Sequence, residues 1–88
     1  KIAIVGFTRG IANELGKYNI TANSIAPGHI EVERDDFQVA GKSVLPGQPI
    51  QTSGTPDTIG NIMLLLAADS SFYITGQCYP ANGGSHYQ

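Results

Sequence analysis

Few side chains in this 88-residue sequence have the types and spacing that chemistry requires. Gly6 and Gly10, with Ala12 two residues on, follow the apolar stretch "IAIV". If that stretch were a strand, the glycines would allow a tight turn and close approach of the backbone to a pyrophosphate. The spacing is imperfect, since Ala12 stands where a last glycine is needed. Asn23 and Ser24 stand where an acidic residue would follow the next strand. "EVERDD" offers Glu31 and Asp35 to a metal, but no histidine or cysteine sits at ligand spacing, so it reads as a solvated charge run. His29 is a lone loop histidine, more often solvated than functional. Cys78 is the single cysteine and can form no internal disulfide. It reads as a small buried apolar side chain in a reducing compartment, which points to the cytoplasm. Arg9 and Glu14 read as helix-surface charges. Pro27-Gly28 stands apart, because an apolar stretch stops there and a half-apolar loop begins at His29. Something either turns or docks at that point.

The elements that would position these residues must fit one small domain or a piece of a larger one. Five basic and seven acidic residues give a formal charge of -2, so nothing suggests nucleic acid or an acidic membrane surface. The apolar run Ile62–Ala68 is far too short to span a bilayer. Residues 1–16 read as an amphipathic helix, with Ile4, Phe7 or Thr8, Ile11 and Leu15 on one stripe and Gly16 as the stop. Gly6 and Gly10 weaken that helix by about 1 kcal/mol each against alanine and would suit a second helix packed closely. Residues 19–26 read as a strand ended by Pro27-Gly28.

Residues 29–55 are irregular, with room for a short helix over 34–40. A loop of that length is usually a lid or a binding loop. Thr55-Pro56-Asp57 starts a second helix, with a hydroxyl cap, proline in the first position and an acid in the first turn. That helix is expected to reach about Ala68, with Ile59, Ile62, Met63 and Leu66 inward. "FYITGQCYPA" (72–81) reads as a second strand that breaks near Gly76 and ends before Asn82-Gly83-Gly84. Helix, strand, long crossover with a helix, and strand make a βαβ unit, which demands parallel strands. Parallel sheets want both faces covered, and two helices cannot do that. On these grounds the chain is expected to be incomplete.

"GFTRGIANELGKYNITANSIAPG" followed by "GTPDTIGNIMLLLAADSSFYITGQCYPANGG" strongly resembles the C-terminal part of the short-chain dehydrogenase/reductase family. Order and spacing agree over nearly the whole chain except about 33–48, and nothing after Gly28 fits the rival phosphate-loop reading of Gly6 to Ala12. The resemblance implies an α/β fold, the C-terminal part of a Rossmann-like doubly wound parallel sheet. Residues 1–88 would form the C-terminal segment of a single domain, with a variable substrate loop over about 31–54.

The resemblance also implies chemistry. Members transfer a hydride between NAD or NADP and an alcohol/carbonyl substrate, using a tyrosine and a lysine that follows it after three intervening residues. Lys1 resembles that catalytic lysine, which also holds the nicotinamide ribose hydroxyls; a nearby ammonium favours the phenolate of a tyrosine. The tyrosine, a serine and the glycine-rich phosphate loop would precede residue 1. None of the four tyrosines present can replace the missing one. The positions four after Tyr18, Tyr73 and Tyr79 hold Ala22, Gln77 and Gly83, and Tyr87 lies at the end. The 88 residues alone are therefore expected to be inactive. Pro27 and Gly28 would lie against the nicotinamide ring, the backbone of Ile30 would bond its carboxamide, and Val32 stands where the family usually has a threonine. Thr52 and Thr58 depart from a basic and an acidic residue. The family forms dimers or tetramers, so a homo-oligomer is expected, through 1–16, 56–68 and the last strand. Two other readings remain open. One is a non-catalytic fragment or assembly module pairing through its uncovered sheet and helices, and the other is a small dinucleotide-binding module using Gly6 to Ala12.

Overall fold

The computed structural model describes residues 2–31 and 46–87. Helix α1 spans Ile2–Leu15 and runs into a 3-10 turn over Gly16–Tyr18. Strand β1 is Ser24–Pro27, helix α2 is Pro56–Ala67, a 3-10 turn covers Asp69–Ser71, and strand β2 is Cys78–Ala81. The strands pair in parallel, with Ser24 opposite Cys78 and Pro27 opposite Ala81. The α/β class and the parallel pairing are as expected. The helix expected over 34–40 lies outside the described residues, as do Lys1 and Val32.

Both strands are shorter than expected, for a traceable reason. The strand foreseen over 19–26 begins only at Ser24, after Asn19 adopts a left-handed φ of 61° that caps the preceding turn. Ala22 and Asn23 instead grip the segment before β2. The Asn23 Nδ2 donates to the Ile74 carbonyl at 3.0 Å, and its Oδ1 accepts from the Gln77 N–H at 3.1 Å. The Thr75 hydroxyl accepts from the Ala22 N–H at 3.0 Å, and the Gly76 N–H reaches the Ala22 carbonyl at 2.7 Å. Gly76 turns here with φ 75°, a conformation few other residues adopt. So 74–77, expected within a strand, is a side-chain-held turn.

β1 ends at Pro27-Gly28 as expected, with Pro27 itself the last paired residue. The Ser24 and Gly28 N–H groups donate to the Gln77 and Ala81 carbonyls, each at 2.9 Å. In that alternation the nitrogen of residue 27 faces away from β2, so proline costs no ladder bond.

Helix α2 starts as its sequence demands. The Thr55 hydroxyl accepts from the Thr58 N–H at 3.4 Å, and the Thr58 hydroxyl accepts from the Thr55 N–H at 3.0 Å. This reciprocal cap gives Thr58 a structural role that the sequence reading had missed. After α2, the Ser71 hydroxyl donates to the Leu65 carbonyl at 2.6 Å and folds the chain back.

The sheet covers only part of either helix. Ala12 is the one buried apolar side chain among the described residues, with Thr8 beside it on the inner stripe of α1. Thr8 satisfies its hydroxyl on the Ile4 carbonyl at 2.8 Å. Of Phe7 or Thr8, expected on the inner stripe, Thr8 takes the buried place and Phe7 is exposed; Ile4, also expected inside, is exposed, and Met63, expected inward, is 58% exposed. Two strands provide too little surface to reach those positions.

Candidate functional site

The carboxyl ends of β1 and β2 carry the site, as open α/β sheets require. Beyond β1 the chain continues through Gly28, His29 and Ile30 and pairs with Gly54, just before α2. The Gly54 N–H donates to the His29 carbonyl at 3.1 Å, and the Glu31 N–H donates to the Gly54 carbonyl at 2.8 Å. In a parallel bridge of this kind the flanking residues make the bonds, and the central one turns its own N–H and C=O to the opposite side. That central residue is Ile30. No other described residue bonds its backbone groups. An N–H and a C=O three atoms apart, both free toward one side, match a primary carboxamide, which offers one acceptor and two donors.

Gly28 has a packing role besides the one expected of it. A Cβ built on it would lie 2.6 Å from the Asn82 Cβ and 2.7 Å from the Asn82 Cα. The backbone that needs this glycine is that of Asn82, at the end of β2. Asn82 in turn shapes the turn that follows. Its Oδ1 accepts from the Gly84 N–H at 2.9 Å and its Nδ2 donates to the His86 carbonyl at 2.9 Å.

The segment 46–54 was expected to belong to the variable substrate loop of about 31–54. Its described part is docked. The Ile50 N–H donates to the Gly83 carbonyl at 3.0 Å. Gln48 is buried, and its amide donates to the Ile50 carbonyl at 2.6 Å. Gly83 and Gly84 have φ of 63° and 86°, and a Cβ on either would meet Gln48 Nε2 at 2.7 Å or Pro49 Cγ at 2.8 Å. Gln48, Asn82 and the glycine pair escaped the sequence reading; the motif Asn82-Gly83-Gly84 was their only local signal.

Between this strap and the end of β2 lies a cleft of about 360 Å³, lined among others by His29, Gln48, Ser53, Thr58 and Asn82. It opens on the Gly54 side of the 28–31 segment, whereas the free groups of Ile30 face the other way. The cleft and the Ile30 edge are therefore separate surfaces. His29 is exposed at the rim and contributes its carbonyl to the bridge. Glu31 is exposed, and Asp35 lies outside the described residues; no cluster of three metal-ligating side chains occurs among the described residues. No described helix is long and apolar enough to cross a membrane.

Comparison with known proteins is consistent with this geometry. The family model described as enoyl-(acyl carrier protein) reductase matches residues 1–86. The 3-oxoacyl-(acyl-carrier-protein) reductase of Pseudomonas aeruginosa is 36% identical over 88 residues, covering 98% of this chain and 36% of that protein. A short chain dehydrogenase from Bacillus anthracis superposes with a TM-score of 0.79 at 32% identity, covering 100% of this chain and 34% of that one. A 3-oxoacyl-(acyl-carrier protein) reductase from Brucella melitensis, solved with bound NAD, superposes with a TM-score of 0.76 at 30% identity, covering 98% and 31%. The chain thus spans about a third of the length of the relatives it matches.

Proposed function

The chain belongs to the short-chain dehydrogenase/reductase family, and from that premise we propose that residues 1–88 are the C-terminal segment of one NAD- or NADP-dependent oxidoreductase domain. The parent transfers a hydride between its nicotinamide cofactor and an alcohol/carbonyl substrate. The observation that carries this reading is the Ile30 edge, where a backbone N–H and C=O face away from the Gly54 bridge without a partner among the described residues. When bound, the nicotinamide gives or takes the hydride. The residues of this chain bind and orient it.

In this reading Ile30 holds the carboxamide by its backbone, and Pro27-Gly28 forms the edge on which the ring lies. Lys1 is the lysine that holds the ribose hydroxyls and, beside a tyrosine preceding residue 1, favours the phenolate by its charge. A phenol with a pKa near 10 needs such help to exchange a proton at neutral pH. Val32 stands where the family usually has a threonine, so a hydroxyl bond to the cofactor is missing or replaced at that position. The loop over about 31–54 borders the substrate and sets its identity.

The test compares the full-length protein with the 88-residue chain for oxidation of NADH and NADPH by a panel of ketones and thioester-linked 3-oxoacyl compounds. Turnover by the full-length protein and none by the 88 residues is the expected pattern. Turnover by a verified 88-residue chain would show that the tyrosine is dispensable and overturn the reading.

A second reading has its own support. Ile2, Ile4, Phe7, Leu64, Leu65, Phe72 and Tyr73 are all more than half exposed. So much uncovered apolar surface fits assembly with further polypeptide, either the rest of the domain or the same helices of another copy. Sedimentation of the isolated chain distinguishes this. A monodisperse monomer at micromolar concentration would count against it.

A further inference from the structure

We propose that Gln48 is a positioning residue whose amide holds the strap 48–54 on the Gly83-Gly84 turn and thereby fixes the bridge that orients Ile30. The proposal rests on the cofactor reading given above. Gln48 is only 6% exposed, although Gly47, Pro49, Ile50 and Gln51 around it are all exposed. Burying a primary amide is costly unless it forms hydrogen bonds. The Gln48 Nε2 spends its donors on its own strap, on the Ile50 carbonyl at 2.6 Å and the Thr52 carbonyl at 3.5 Å, while its Oε1 is buried with no hydrogen-bond partner among the described residues. The side chain thereby curls 48–52 into a closed turn, which the Gln51 amide reinforces by donating to the Gln48 carbonyl.

That turn is seated on bare backbone. Gly83 leaves room for the Gln48 amide and Gly84 for the Pro49 ring, and the Ile50 N–H is bonded to the Gly83 carbonyl. Two residues after Thr52 comes Gly54, whose bonds to His29 and Glu31 turn the Ile30 groups outward. A continuous path of contacts therefore runs from the end of β2 through Gln48 to the end of β1. No hydrogen bond joins Gln48 to Ile30 among the described residues, so its influence is on where Ile30 points.

The test uses the full-length protein with NADH and with ADP-ribose, which lacks the nicotinamide ring. Gln48→Met keeps the length of the side chain and removes the amide. NADH affinity is expected to fall about threefold to tenfold, the size of one impaired hydrogen bond, with ADP-ribose affinity unchanged. A parallel loss for both ligands, or for neither, overturns the proposal. If the unsubstituted protein binds NADH no more tightly than ADP-ribose, the carboxamide reading itself fails, and this proposal with it. Should Gln48→Met fail to fold, hydrogen exchange on the unsubstituted protein decides. NADH is expected to slow exchange of both the Ile50 and Glu31 amides, and ADP-ribose neither. Equal Ile50 exchange with the two ligands overturns the proposal.

Discussion

Replacing Gly28 with alanine separates two roles for that glycine. If it serves the approach of a ligand, Gly28→Ala should leave the ligand-free protein as stable as before and weaken only cofactor binding. The structure gives it a packing role as well, against Asn82. The new Cβ would stand 2.6 Å from the Asn82 Cβ and 2.7 Å from its Cα. The nearest atoms belong to, or are fixed directly on, the backbone of β2's continuation, so no side-chain rotation relieves the contact. Overpacking of this kind costs about 1–3 kcal/mol, and the upper part of that range applies where backbone must move. Alanine returns about 0.4–1 kcal/mol by restricting the unfolded chain. The net destabilisation is then about 2 kcal/mol, or a fall of about 4–8 °C in Tm for a domain of 150–250 residues. The assay is thermal unfolding of the full-length protein without cofactor. An unchanged Tm with weakened NADH binding would refute the packing account and restore the ligand account of Gly28.

Other substitutions follow from named contacts. Asn23→Ala removes two of the four bonds that hold 74–77, so urea unfolding should show a loss of about 2 kcal/mol at about 1 kcal/mol per bond. Thr55→Ala removes the cap of α2 and should cost about 1 kcal/mol in the same assay, with Thr55→Ser recovering most of it. Val32→Thr restores a hydroxyl beside the proposed cofactor edge and should tighten NADH binding about twofold to tenfold by fluorescence titration; unchanged binding would place residue 32 away from the cofactor.

The parts of the fold legible in the sequence are those set by local chemistry. Thr55-Pro56-Asp57 marked the start of α2 because a hydroxyl cap, a fixed φ and an acid act within one turn. The parallel sheet was legible because a long connection carrying a helix between two strands demands it. The errors arose where distant side chains overrode local propensity. "NITA" is β-branched enough to read as a strand, yet Asn23 spends its amide on Ile74 and Gln77, more than fifty residues away. Pro27-Gly28 did end β1, and Pro27 itself still pairs because its missing N–H falls on the side of the ladder that needs no donor. The packing role of Gly28 was hidden because nothing in its neighbourhood names Asn82 as the group above it. Gln48 was invisible for the same reason, since its burial depends on the Gly83-Gly84 turn at the other end of the chain. The family resemblance named the Ile30 backbone, and the bridge to Gly54 turns its N–H and C=O away from that strap; the carboxamide contact itself is a proposal.

The most direct test of the central claim is a crystal structure of the full-length protein with NADH. The account places the carboxamide about 2.7–3.2 Å from the backbone N–H and C=O of Ile30, on the side away from Gly54. A nicotinamide lodged instead in the cleft beside Gln48 and Asn82, or held with no bond to Ile30, would contradict it.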